Sequence, residues 1–225
     1  MLTLAVGPAE VRFTDRSDGD MGHHGRPVER VAPEVERRRR AVVDRPWSWL
    51  RQVHGRRVVP VHSPGDGSGQ AGDALVTDVP GCALAVLAAD CAPVVLVADE
   101  GVAAAVHVGW RGLVVGVLDA ALAALHGAGA RTVHAVVGPC IRAECYEFGA
   151  DDLDLVASRA GPTVRAITAE GRPALDLAAG VASELRRLAV EDVDDVGVCT
   201  ACSPSHFSFR ARGDLGRQAG VVWLP

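Results

Sequence analysis

Aromatic residues make up only 4% of this 225-residue sequence. With so few large rings, the core has to be filled by Val, Ala and Leu. Small side chains of that kind suit sheets covered by Ala-rich helices. Positive charge is also short, with 23 Lys and Arg against 28 Asp and Glu and a formal net charge of −5. A general nucleic-acid binder needs a basic face to displace counterions, so the balance argues against that class. The one basic run, residues 37–40, has Glu34 and Glu36 beside it and reads as a solvated helix face. No apolar run is long enough to span a bilayer. The longest, residues 82–98, is interrupted by Asp90, and a span needs about 20 apolar residues. The first 13 residues lack a basic stretch followed by an apolar one, so no export signal is read and a cytoplasmic location is expected. On that expectation the six cysteines are thiols rather than disulfides.

The length suits one generous domain with a buried core. Residues 10–33 and 63–73 are polar and Gly-rich and read as loops, and Pro33 opens a short helix carrying the arginine run. Residues 83–89, 93–98 and 102–108 are short continuous apolar runs, as buried strands are. Residues 58–61, 133–137, 196–199 and 221–224 are also strand-like. Leu113, Val117, Ala120, Ala121 and Leu125 fall near helical spacing, which predicts a helix over 113–126, with another over 175–188. Strands that follow one another directly favour an α/β (α+β) fold with a mixed sheet or two packed sheets.

Three segments place metal-type ligands beside glycines and charges: Arg51-Gln52-Val53-His54-Gly55, Ala89-Asp90-Cys91-Ala92-Pro93 and His107-Val108-Gly109-Trp110-Arg111-Gly112. Two imidazoles and one thiolate make three protein ligands, the number that catalytic zinc commonly has with a fourth position open. Spacing alone does not join them: a lone His is usually a satisfied polar residue, a lone Cys a small core hydrophobe. Arg111 precedes the expected helix from Leu113, a natural place for a phosphate, or for a surface ion pair. Asp90 either orients a ligand, receives a proton, or is a turn residue. Trp110 reads as core more than as a stacking platform. Cys199 and Cys202 form C-x-x-C, and Cys140 and Cys145 lie in a Gly-Pro loop; a four-cysteine zinc site and a redox dithiol are the rival readings there.

The local motifs go further. QVHG (52–55), DALVTD (73–78), AADCAPV (88–94), HVGWRG (107–112), VGPCI with CYEFG (137–149), CTAC (199–202) and FSFR with GRQAGVVWL (207–224) occur in one order. In that order they resemble the laccase-domain, YfiH-like family, closely over residues 45–225 and weakly before. The resemblance implies a single-domain α-β-β-α sandwich of the cytotoxic-necrotizing-factor/YfiH type over residues 1–225, with 1–45 divergent. It implies zinc held by His54, Cys91 and His107, and no metal role for the Cys199 motif. It implies purine nucleoside phosphorolysis at a site where Cys91, His54, His107 and Asp90 are the catalytic candidates. Adenosine deamination and methylthioadenosine cleavage belong to the same family, and bacterial relatives are linked to peptidoglycan editing. Arg111, Arg16, Arg210 and Arg217 are candidates for substrate or phosphate contact. The expected partners are a nucleoside and phosphate, with no nucleic acid or membrane, in a monomer or homodimer. Copper suits this chain less than zinc: a blue-copper site wants a weak axial ligand, often Met, and Met1 and Met21 both lie far from the ligand motifs. The chain departs from the family at Val108, around residues 18–24, and at Phe209 and Ala211, where a Tyr hydroxyl and an Arg charge are replaced. Two other readings use the same residues: a cysteine hydrolase with Cys91 as nucleophile and His54 or His107 as base, acting on amide bonds or peptidoglycan precursors, and a non-catalytic metal-binding relative.

Overall fold

A computed structural model describes residues 1–24 and 31–225. In chain order the elements are β1 (Leu2–Val6), β2 (Ala9–Phe13), α1 (Pro33–Val42), β3 (Trp47–Trp49), β4 (Val58–Pro60), β5 (Ala74–Thr77), β6 (Ala83–Ala88), β7 (Ala92–Ala98) and β8 (Val102–Val108). Then come α2 (Trp110–Val115), α3 (Val117–Gly127), β9 (Val133–Val137), α4 (Ala150–Ala160), β10 (Arg165–Ile167), β11 (Pro173–Leu175), α5 (Leu177–Arg187), β12 (Val193–Asp195), α6 (Phe209–Arg212) and β13 (Gln218–Trp223).

The apolar runs become central strands because both their faces are covered. In β7, Val94 and Leu96 point to the helix layer while Val95 and Val97 point to the other sheet; in β8, Ala104 and Val106 alternate likewise with Ala103 and Ala105. They lie in a mixed six-stranded sheet of order β12-β9-β7-β8-β5-β4. The second sheet, β1-β2-β13-β6-β3, is mixed as well, with β3 parallel to β6 and the other pairs antiparallel. Its Val11, Phe13, Leu84, Val86 and Val222 meet the first sheet in a shared core. On its outer face Ala85, Leu87 and Val221 pack with Trp47, Trp49 and Val42. Helices α2 to α5 cover the six-stranded sheet and α1 covers the five-stranded one, so the layers run α-β-β-α. Among the described residues, no helix is long and apolar enough to cross a membrane.

Residues 10–33 are not all loop: Val11 and Phe13 alternate inward, making Ala9–Phe13 a strand, while residues 25–30 of that stretch lie outside the described residues. The helix expected over 113–126 is two helices, broken where Gly116 takes a left-handed φ of 81°. The first of them starts at Trp110, so Arg111 lies within it rather than before it. The helix expected from residue 175 starts at Leu177, with the Asp176 side chain accepting from Ala179 N, and Leu175 belongs to β11. The strand expected at 196–199 is at Val193–Asp195. The arginine run is not wholly solvated. Arg39 is buried, donates to the Met21 carbonyl at 2.8 Å and lies 4.9 Å from the Trp49 ring centroid. Burial lowers its pKa to about 10.

Candidate metal centre and its cavity

The QVHG segment leaves β3 and is held at two points. Gln52 clamps the backbone of Leu87 in β6, donating to its carbonyl at 2.6 Å and accepting from its N–H at 2.8 Å. The buried carboxylate of Asp73 accepts from His54 N at 2.9 Å and Gly55 N at 2.7 Å, with Val53 N at 3.2 Å. These bonds support a left-handed backbone at His54, φ 58°, which a residue with a side chain adopts only when its surroundings impose it. The imidazole is thereby turned toward Cys91, whose Sγ lies 3.8 Å from His54 Nε2.

Cys91 sits where the chain crosses between sheets, from β6 in one to β7 in the other. The crossing turns at Asp90, φ 101°. Its buried carboxylate has both oxygens engaged: Oδ1 accepts from Thr200 Oγ1 and Oδ2 from Arg210 N, each at 2.7 Å. His107, near the end of β8, faces Pro93 in register and is buried. Its Nδ1 lies 3.0 Å from Asp73 Oδ1, so Asp73 orients both histidines, one through its backbone and one through its ring. The two rings are edge to face, 4.9 Å between centroids. Gly109 explains one fixed point of the HVGWRG motif. A Cβ there would stand 2.8 Å from His54 Cδ2 and 3.0 Å from Cys91 Sγ.

Burial alone would push the Cys91 thiol up, but the imidazoles of His107 and His54 outweigh it and bring it down to about 6. For His107, burial opposes the charge, yet Cys91 and Asp73 raise it to about 9. Burial also works against the Asp73 carboxylate, and His107 with the N–H groups of Gly55 and His54 still holds it below its usual value.

The donor set fits a metal. One donor atom from each of His54, Cys91 and His107 lies within 4.8 Å of the others. Zinc at about 2.0–2.3 Å from N and S ligands would bring them together with small adjustments. With Nδ1 of His107 committed to Asp73, Nε2 is left as its ligand, the arrangement that carboxylate–histidine–metal sites use.

The three residues open onto a cavity of about 610 Å³. Trp110, Tyr146 and Phe209 bring rings to its wall, and Arg51, Arg111, Arg210 and Arg217 bring cations. Arg111 makes no ion pair among the described residues; its guanidinium rests 4.3 Å from the Trp110 ring centroid. Arg210 donates to the Glu147 carbonyl at 2.8 Å, and Arg217 to the carbonyls of Leu215 and Gly216. Arg16 lies outside the cavity lining, its guanidinium bound to the Asp214 carboxylate and stacked on Phe207. Trp110 does double duty, packed on the helix-side core and exposed to the cavity. Asp73 and Arg51 were not singled out from sequence. Asp73 opens the DALVTD motif and Arg51 precedes QVHG, and position next to those motifs was the available signal.

Residues 19–225 match the family described as multi-copper polyphenol oxidoreductase laccase. The chain is 45% identical over 181 residues to the purine nucleoside phosphorylase SCO2081 of Streptomyces coelicolor, covering 78% of this chain and 74% of that one. It is 42% identical over 179 residues to the purine nucleoside phosphorylase Rv2149c of Mycobacterium tuberculosis, covering 78% and 71%. The fold superposes on the Neisseria meningitidis protein NMB0706 with a TM-score of 0.87 at 29% identity, over 99% of this chain and 98% of that one. Bacillus licheniformis YfiH gives 0.83 at 22% identity over 96% and 93%, a likeness of fold. Motif order, fold and sequence identity agree, and the chain belongs to the laccase-like YfiH family.

Proposed function

We propose that this chain is a zinc-dependent purine nucleoside phosphorylase. The observation that carries the reading is the His54–Cys91–His107 group opening onto a cavity of about 610 Å³, with the guanidinium of Arg111, which pairs with no carboxylate among the described residues, at its wall. The relatives named purine nucleoside phosphorylase support it. In phosphorolysis a phosphate oxygen bonds to C1′ of the ribose while the C1′–N9 bond breaks. The purine leaves with that electron pair and takes up a proton. Arg111 and Arg51 supply positive charge for the phosphate, with Arg210 and Arg217 at the same wall. Trp110, Tyr146 and Phe209 offer flat apolar surface to a base. Asp90, with both oxygens engaged, is a positioning residue: it fixes the turn that presents Cys91. Zinc held by His54, Cys91 and His107 would act as a Lewis acid that orients and polarises substrate. Zinc is favoured over copper because the described residues offer one two-histidine, one-cysteine group, and Met21 is buried in the core beyond the five-stranded sheet. Adenosine, inosine, guanosine and methylthioadenosine are the candidate substrates, and adenosine deamination is a second reaction to assay.

One observation favours a second reading. Cys91 Sγ at 3.8 Å from His54 Nε2 is also a nucleophile–base pair of the kind cysteine hydrolases use. One experiment separates them: zinc content of wild type and Cys91→Ala purified without chelator, with phosphate-dependent release of base. Loss of about one zinc per chain in the variant, with base release requiring phosphate, supports the phosphorylase. Equal zinc in wild type and variant, with amide hydrolysis by wild type that alkylation of Cys91 abolishes, supports the hydrolase. Zinc with no turnover points to a non-catalytic relative, in which Phe209 and Ala211 have cost the activity. Within the phosphorylase reading, Arg111→Ala raises KM for phosphate about tenfold, equivalent to losing about 1.4 kcal/mol of a charge-assisted contact.

A further inference from the structure

A second group of metal-type donors converges away from the cavity floor. Glu144 and Cys145 lie on the short turn Ala143–Cys145, and Cys199 and Cys202 on the loop between β12 and α6. One carboxylate oxygen and three sulfurs are all within 4.8 Å of one another. Cys145 Sγ stands 3.1 Å from Cys202 Sγ, which is 3.6 Å from Glu144 Oε1. Donors on a tetrahedral zinc, at about 2.3 Å for sulfur and about 2.0 Å for oxygen, are roughly 3.5–3.8 Å apart. These two distances are within about 0.7 Å of that spacing, and the remaining donors, within 4.8 Å, would close by about an ångström. A disulfide between Cys145 and Cys202 would use two sulfurs and leave the approach of Cys199 and Glu144 without a role. Cys140, which a four-cysteine site would have used, is not part of the group. It is buried and meets Cys199 through a backbone bridge, and Glu144 takes its place.

We propose that Glu144, Cys145, Cys199 and Cys202 form a second, structural zinc site. Four protein donors close the coordination and leave no position for substrate, so this zinc is a clasp rather than a reaction centre. What it clasps adjoins the cavity. Tyr146, next to Cys145, lines the cavity wall. Thr200, next to Cys199, donates to Asp90, which turns the chain into Cys91. Arg212 donates to the carbonyls of Thr200 and Ala201, holding α6 to the same loop. Joining the two loops fixes one side of the cavity without touching substrate. The inference does not rest on the phosphorylase reading, since it concerns metal content and ligation alone.

The test uses the full chain loaded with Zn(II) under reductant and desalted, with zinc counted per chain and the zinc edge measured by X-ray absorption. The expected result is two zinc ions in wild type, one in Cys202→Ser, one in Cys91→Ala and none in the double variant. The sulfur count per zinc in wild type would be two, the mean of one and three. A single zinc in wild type that Cys91→Ala loses and Cys202→Ser keeps overturns the proposal. So does a Cys145–Cys202 disulfide found by peptide mass mapping, if the reduced protein then takes up no second zinc. Where Cys202→Ser does not fold, wild-type absorption decides: two sulfurs per zinc uphold the site and one removes it.

Discussion

Four donors converge on the carboxylate of Asp73: the N–H groups of Val53, His54 and Gly55, and Nδ1 of His107. A single buried side chain thus sets the backbone of one candidate ligand and the ring of another. Asp73→Asn keeps the shape but exchanges one acceptor oxygen for an NH₂ that faces N–H groups. The expected result is metal affinity about 10–100-fold weaker, read by competition with a chelator, because carboxylates behind ligating histidines have effects of that size. A lower Tm should accompany it. Asp78→Asn, at an exposed position of the same motif, should change neither. Unchanged affinity in Asp73→Asn would remove Asp73 from the site. At this scale the sequence was uneven. His54, Cys91 and His107 stood out because rare residue types sat in recognisable motifs. Asp73 did not, because its work is done on backbone N–H groups some 20 positions earlier in the chain, and no side-chain pattern marks that.

Elements were legible in proportion to how fully they are buried. β7 and β8, covered on both faces, are continuous apolar runs and were placed within a residue or so. α4 was missed because Asp151, Asp152 and Asp154 mask its inward stripe of Leu153, Val156 and Ala160. β1 was missed as a half-exposed edge strand whose single neighbour is β2. The break between α2 and α3 was written in Gly116, but apolar residues on both sides keep the helical period running through it. β9 carries an electrostatic tie of its own. His134 bridges Asp192, before β12, at 2.6 Å and Asp99, in the turn after β7, at 2.9 Å. Asp192 first and then Asp99 raise the pKa of this imidazole. The folded chain therefore holds the proton more tightly than the unfolded chain. The stabilisation is fully present below the ordinary histidine pKa of about 6.5 and is lost as pH rises through the folded value. His134→Gln should lower Tm most at about pH 5.5, with the gap to wild type closing toward about pH 9. A gap that widens with pH would show that charge on His134 is not what ties these strands.

At the scale of the whole molecule, the candidate site depends on how the two sheets are stacked. β3 and β6 of one sheet lead into His54 and Cys91, while His107 lies on the other sheet. The α-β-β-α layering was legible from motif order, but the close approach of Phe13 to the opposite sheet was not, because a glycine, Gly138, makes room for it. Phe13 is the key contact. It faces Gly220 in register on β13, and a Cβ on Gly138, just past β9 in the opposite sheet, would stand 2.3 Å from its Cε1. Gly138 N also donates to the Pro93 carbonyl at 2.8 Å, two residues from Cys91. Phe13 is only 2% exposed and lies against Gly220 in the buried core, so the ring is enclosed. Gly138→Ala should therefore overpack the sheet interface, costing about 1–3 kcal/mol and lowering Tm by several degrees. If the wedge against Phe13 is the cause, Phe13→Leu in the same chain should recover part of the loss, although Phe13→Leu alone destabilises by leaving space. Non-additivity of that sign in thermal or denaturant unfolding would place the sheet spacing on this one contact. Additive losses would mean that the cost of Gly138→Ala does not come from the Phe13 ring.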